Sequence, residues 1–373
     1  MQGAVVMTTA SEAGGQTFRA ATQSISGRQR DHNEDAVLDA AGLKLWAVAD
    51  GMGGHHAGDV ASRMIVERLG QLDHDDDLVA MCEKIEATLV GVNRELQDRS
   101  DGDESRLMGS TVVFLLVRNG LMLCGWAGDS RAYCLRNGVL LRLSRDHSHV
   151  EEMVGRGEIT AAEARTHPDA NIVTRAIGGE PRLVLEYSLS VPQDGDRFFL
   201  CSDGIDKELD DGQLQALLKG EPDTASCCER IVAAADLAGG RDNISGVLVD
   251  VEGNPPQTLG GLPGAQRALA ALCDDYDRQR INFENFRIRR SRLILELLDP
   301  DSANPAAMME TMQIGGRPAT RAKPAGPSTG DEHSDRTPPQ IRVEPLPKPA
   351  RRMPRWWWAA PLLVLAAAAW ILV

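Results

Sequence analysis

Apolar positions along this chain change period several times, and the changes mark its elements. Short apolar or alternating runs at 18–25, 35–40 and 43–49 read as strands, and the third runs directly into Asp50. From near His56 the period becomes helical through Val60, Met64, Ile65 and Leu69, and a second helix spans 77–98. Runs at 111–117 and 121–126 flank Asn119-Gly120, and runs at 131–135 and 139–143 flank Asn137-Gly138. Both pairs read as hairpins, because Asn-Gly supplies the positive φ angles of a tight turn. Residues 146–180 read as a helical insertion with helices at 148–156 and 160–165, then an irregular stretch. Strands return at 182–190 and 197–202, helices at 211–218 and 224–237, and a last strand at 244–251. Strand runs punctuated by helix pairs, without strict alternation, predict an α+β fold.

The flanks have a different character. Residues 1–17 are small and polar and are expected to be a disordered N-terminus, with no basic-then-apolar leader pattern. After a domain ending at 253, residues 254–298 are expected to form a helical appendage. Its apolar positions, among them Leu269, Leu272, Phe286 and Leu297, mix with Arg287, Arg289, Arg290 and Arg292. Such helices pack on the preceding domain or dock on a partner or an anionic membrane. Residues 299–355 hold 11 of the 19 prolines and lose apolar periodicity, so they read as a disordered linker. Residues 356–373 carry no charge, begin with Trp356-Trp357-Trp358 and follow Arg351, Arg352 and Arg355. Eighteen uncharged residues reach about 27 Å as a helix, near the minimum for crossing a bilayer core. Tryptophans suit the headgroup interface, and the arginines would keep the preceding domain cytoplasmic. The expectation is a single-pass anchor in the inner (cytoplasmic) membrane. A membrane-fusion or pore role is disfavoured, because one short span has no channel-lining residues.

Charge sharpens this division. The last 120 residues carry a net charge of +4 against −18 for the first 253. An acidic domain argues against a nucleic-acid partner, since phosphate backbones require a basic face. The seven cysteines show no CxxC pair and no zinc spacing, and most lie in apolar runs, as reduced cytosolic thiols do.

That acidity is concentrated at strand ends, in Arg30-Asp31-His32-Asn33-Glu34-Asp35, Asp50-Gly51-Met52-Gly53-Gly54, Ser202-Asp203-Gly204 and Arg241-Asp242-Asn243. An isolated Asp-Gly is ordinarily a turn. Carboxylates brought together by converging strands repel one another, however, and hard divalent cations relieve that repulsion. With Gly58, Ala61-Ser62, Gly109-Ser110-Thr111 and Gly128-Asp129-Ser130-Arg131, these motifs form an ordered set. Over about residues 18–252 the set resembles the metal-dependent, type 2C serine/threonine protein phosphatases in their bacterial form.

The resemblance implies two antiparallel sheets packed face to face with helices outside, a four-layer α/β/β/α sandwich with the site at one end. It also implies hydrolysis of phosphoserine and phosphothreonine by metal-held water, using two Mn²⁺ or Mg²⁺ ions and no phospho-enzyme. Asp50 would bridge the ions, the carbonyl of Gly51 would bind one, and Asp203 and Asp242 the other. Glu34 and Asp35 would hold metal-bound waters or ligate weakly, and Arg30 would receive the substrate phosphate. The implied partner is a phosphoprotein, opposed to a membrane serine/threonine kinase.

Two departures qualify this reading. Met52 stands where some relatives place a histidine acid, and His55 and His56 follow at a different spacing. A third ion would use Asp129 with an aspartate four residues after Asp203, but that position is Lys207, which cannot ligate a cation. Asp206 or Glu208 could replace it, or Lys207 could pair with Asp129. Lysine here is similar to phosphatases that accompany type VI secretion kinases. The alternative function is a catalytically silent regulatory module, but silent members usually lose a core aspartate, and Asp35, Asp50, Asp203 and Asp242 are all present.

Overall fold

The computed structural model describes residues 7–53, 57–100, 108–254 and 262–298. Two six-stranded antiparallel sheets form the centre. The first runs β1 (Met7–Ala13), β2 (Gln16–Ile25), β12 (Ile244–Glu252), β11 (Arg197–Cys201), β8 (Arg131–Arg136), β9 (Val139–Arg142). The second runs β10 (Glu186–Ser190), β7 (Leu121–Ala127), β6 (Val112–Arg118), β4 (Leu45–Gly53), β3 (Asp35–Ala40), with β5 (Met108–Ser110) paired to the end of β4.

The period-two rule explains how these strands build layers. Along β4, Trp46 and Val48 face the other sheet and meet Phe18, Phe198, Leu200 and Val247. The alternate residues Leu45, Ala47 and Ala49 face outward onto α1 (Ala57–Gly70) and α2 (Leu78–Ser100). Leu248 and Phe199 likewise face α6 (Asp211–Gly220) and α7 (Thr224–Ala238) on the opposite outer face. Both faces of the central strands are therefore buried, which is why they read as continuous apolar runs. The four layers expected from the resemblance are present. All seven cysteines are buried and unpaired.

The insertion holds α3 (His149–Gly155) and α4 (Ala161–Ala164), each started by a hydroxyl cap from Ser148 or Thr160. A short helix, α5 (Asp203–Asp206), follows β11 directly. Residues 262–298 form a hairpin of α8 (Leu262–Asp277) and α9 (Phe283–Leu298). Its Leu269, Ile294 and Leu297 join the core beneath α2, so the hairpin packs on the sandwich.

The N-terminal segment departs from expectation. Residues 7–17 are not disordered, because β1 pairs with β2 from Met7↔Thr22 to Ala13↔Gln16. The strand has no apolar alternation to announce it. It is held by the backbone ladder and by the Thr9 hydroxyl, which donates to Asp39 at 2.6 Å. No helix among the described residues is long and apolar enough to cross a membrane. Residues 1–6, the pair His55 and His56, the linker 299–355 and the expected anchor 356–373 lie outside the described residues.

Candidate metal centre and phosphate site

Strand pairing assembles the acidic residues at one end of the sandwich. Asp35 opens β3 directly opposite Asp50 on β4. Asp203 follows the end of β11, and Asp242 precedes β12, the strand paired with β11. The two sheets are tied together here by Ser202, whose hydroxyl donates to Asp35 at 2.7 Å and accepts the Ser245 N–H at 3.0 Å. Backbone bonds fix Asp50: its N–H donates to Thr111 Oγ1 at 3.1 Å, and its carbonyl accepts the Thr111 N–H at 2.9 Å.

Close approach explains Gly51 and Gly58. A Cβ on Gly51 would lie 2.2 Å from the Gly58 carbonyl oxygen and 2.5 Å from that of Glu34. Helix α1 can therefore press its first turn against the Asp50-Gly51 segment only where neither residue carries a side chain. The Gly51 N–H donates to the Glu34 carbonyl at 3.1 Å, and Ser62 donates to the same oxygen at 2.5 Å.

Electrostatics follow from this crowding. Burial, opposed by the Ser245 and Ser202 hydrogen bonds and reinforced by Asp203 and Asp242, pushes Asp35 up to about 7. Burial, then Asp35, Asp203, Asp129 and Asp242, holds Asp50 well above the carboxylate range. Asp129 is raised likewise, first by burial and then by Asp203, Asp146 and Asp206. Asp35 Oδ1 and Asp203 Oδ1 are buried without hydrogen-bond partners. A cluster of oxygen donors, mutually repelling and incompletely satisfied, fits hard divalent cations.

Lys207 does not take the place suggested for it beside Asp129. Its ammonium lies 2.5 Å from Asp203 Oδ2 and 2.8 Å from Asp242 Oδ2, and these carboxylates outweigh burial to raise its pKa. The same ammonium keeps Asp242 below its ordinary value despite burial. Arg30 adds a second cation, 2.7 Å from Asp242 Oδ1. No group of three His, Cys, Asp or Glu side chains among the described residues is arranged as a metal cage, so the fit to cations rests on the mutual repulsion and the unsatisfied oxygens described above. Both proposed substitutes for a third-site ligand carry an ion pair, and Asp206 keeps one buried oxygen, Oδ1, without a hydrogen-bond partner. Asp206 pairs with Arg131 at 2.9 Å, and Glu208 pairs with Arg241 at 2.9 Å.

Asn243 belongs to a motif the sequence displays, but its role emerges only in three dimensions. Its Oδ1 accepts the Glu34 N–H at 2.9 Å, while its Nδ2 donates to the carbonyls of Ser26 and His32 at 3.0 and 2.7 Å. One amide thus clamps the loop that carries both Arg30 and Glu34. Thr111 Oγ1 and Ser130 Oγ, 2.7 Å apart, similarly link the Gly128–Arg131 turn to Asp50.

Comparison with known proteins gives the same assignment. The Protein phosphatase 2C profile matches residues 26–244. The serine/threonine protein phosphatase PstP of Mycobacterium tuberculosis is 35% identical over 238 residues, a match covering 63% of this chain but only 45% of that protein. PppA of Pseudomonas aeruginosa, described as a key regulatory component of its type VI secretion system, is 39% identical. It superimposes with a TM-score of 0.58 over 63% of this chain and 97% of PppA. The PstP catalytic domain solved with two manganese ions is 32% identical, with a TM-score of 0.57 over 64% of this chain and all of that one. On the ordered motifs, the four-layer fold and this match, the chain belongs to the protein phosphatase 2C family.

Proposed function

We infer that this protein is a metal-dependent phosphatase that hydrolyses phosphoserine and phosphothreonine in proteins. The observation that carries this reading is the convergence of Asp35, Asp50, Asp203 and Asp242 at one sandwich end, with Arg30 2.7 Å from Asp242. Asp50, the Gly51 carbonyl, Asp203 and Asp242 would hold two Mn²⁺ or Mg²⁺ ions, with Asp35 and Glu34 orienting water around them. Bound there, the ions would lower the pKa of a water and clamp the phosphoryl oxygens during in-line displacement. Lys207 pairs with Asp203 and Asp242, and Arg30 with Asp242, so two cations border the acidic cluster. The guanidinium of Arg30 offers a planar fork to the phosphate oxygens, which lysine could not reproduce. Ser202 is committed to Asp35 and Ser245, and Cys201 is fully buried, so neither is placed as a covalent nucleophile.

Arg30 provides the sharpest test of the phosphate assignment. Losing a charged hydrogen-bond contact costs about 1.5–3 kcal/mol, so Arg30→Ala should lower kcat/KM for a phosphothreonine peptide roughly 10- to 150-fold. An unchanged kcat/KM would remove Arg30 from the substrate site.

The second element of the proposal is a membrane tether at 356–373 that holds the catalytic domain at the cytoplasmic face of the inner membrane. Its support is the uncharged run behind three arginines. The likeness to PppA, a regulatory component of type VI secretion, supports a place in secretion signalling, and the partner proposed there is a phosphoprotein opposed to a membrane serine/threonine kinase. A chain ending at Lys348 should move to the soluble fraction, and phosphothreonine on membrane proteins should rise as the local enzyme concentration falls. Recovery of the shortened chain with the membranes would reject the tether.

A further inference from the structure

The α8–α9 hairpin lies beyond residues 26–244 that match the family, yet a continuous series of hydrogen bonds and ion pairs leads from it to the acidic centre. It starts at Asp277, the last residue of α8, whose Oδ1 is 2.7 Å from Arg175 Nη2. Arg175 closes the insertion: the preceding Thr174 N–H bonds the His147 carbonyl at 2.8 Å, and the nearby Ile177 N–H bonds the Ser110 carbonyl at 2.8 Å. Its other guanidinium nitrogen lies 3.4 Å from Glu186 Oε1, and the same oxygen is 2.9 Å from His147 Nε2.

The opposite nitrogen of that ring reaches the site. The Gly128 N–H donates to His147 Nδ1 at 3.0 Å, and the His147 N–H donates back to the Gly128 carbonyl at 3.0 Å. Nδ1 must accept, so the ring proton sits on Nε2 and faces Glu186. Stacking on Trp126, with centroids 6.3 Å apart, fixes the plane of the ring. Gly128 begins the turn that places Asp129 in the acidic cluster and Ser130 against Thr111, the residue that fixes the Asp50 backbone.

We propose that His147 is a positioning residue for the phosphatase reaction, and that Asp277 and Arg175 make the hairpin a working part of the site by holding His147 through Glu186. The inference rests on the functional reading above. Misplacing a catalytic group by about 1 Å can cost on the order of 100-fold, so support of the Gly128–Ser130 turn bears directly on turnover.

The test uses the full-length protein with saturating Mn²⁺ and p-nitrophenyl phosphate, together with hydrogen exchange at the Gly128 amide. His147→Leu removes both contacts, whereas His147→Asn keeps an acceptor near Nδ1. Leucine should lower kcat about tenfold or more with KM within about twofold, and should deprotect Gly128; asparagine should restore both to within about threefold. Asp277→Asn and Arg175→Met should each lower kcat about threefold, and the double variant should be no worse than the poorer single one, as for residues acting in one chain. Leucine and asparagine variants with the same turnover, or Asp277→Asn with wild-type turnover and wild-type Gly128 exchange, would overturn the inference. A wild type without divalent-dependent turnover would instead contradict the functional reading. In that case Gly128 exchange alone decides the link: deprotection in Asp277→Asn supports it, and unchanged protection overturns it.

Discussion

Asp50→Asn is expected to lower kcat for p-nitrophenyl phosphate by at least about 100-fold, because charge stabilisation by bound ions supplies several kcal/mol and each 1.36 kcal/mol is tenfold. The fold should survive, since Asp50 is anchored by its backbone to Thr111 rather than by its carboxylate. Stability of the EDTA-treated protein should in fact rise. Burial and neighbouring carboxylates hold Asp50 far above its ordinary value, so the ionised form is disfavoured in the folded state. A group raised in this way costs nothing below its unfolded pKa, and the cost grows as pH climbs above it. The variant should therefore melt above wild type at pH 7, with the gap closing near pH 4. Thermal melts in EDTA at both values check the sign. A variant that keeps wild-type turnover would remove Asp50 from the metal centre.

Arg290→Met is expected to destabilise the protein by about 3 kcal/mol, the low end of the range for breaking a buried ion pair. Arg290 is 1% exposed and meets Glu86, itself 4% exposed, at 2.7 and 3.1 Å. Its guanidinium also lies 5.0 Å from the Tyr187 ring centroid. Arg287 would remain 3.1 Å from Glu86 and keeps the loss at the low end. The pair locks α9 to α2 and β10, so the hairpin is part of the folded unit. Chemical denaturation measures the effect, and Glu86→Leu with Arg290→Met should recover much of the loss, because the one charge left without Glu86, Arg287, is 37% exposed. A loss below about 1 kcal/mol would mean that the hairpin is dispensable to the fold.

Much of this architecture is legible in the sequence, for identifiable reasons. Strands of the central layers are buried on both faces, so β6, β7 and the first half of β4 appear as nearly unbroken apolar runs. Asn119-Gly120 and Asn137-Gly138 disclose two hairpins by their turn chemistry. The same chemistry was present at Gly14-Gly15, where both residues take positive φ. The strand before it, Thr8-Thr9-Ala10-Ser11-Glu12-Ala13, offers no apolar face, and its pairing depends on backbone bonds that leave no compositional trace.

Within the site, the aspartates were legible because each stands in a dense motif at a strand end. The partner of Lys207 was not. Sequence distance alone allowed Asp129, but one helical turn sets Lys207 back over Asp203, and the chain return before β12 brings Asp242 to its other side. The Asn243 clamp and the His147 link depend on residues far apart in sequence, joined through backbone atoms that carry no side-chain signature.

The most direct measurement is phosphate release from a phosphothreonine peptide by the full-length protein, first with Mn²⁺, then after EDTA treatment, then with Mn²⁺ restored. Two ions held by Asp50, Asp203 and Asp242 predict turnover that falls to background in EDTA and returns with the metal. Full turnover in excess EDTA, or none with Mn²⁺ or Mg²⁺ present, would contradict the account.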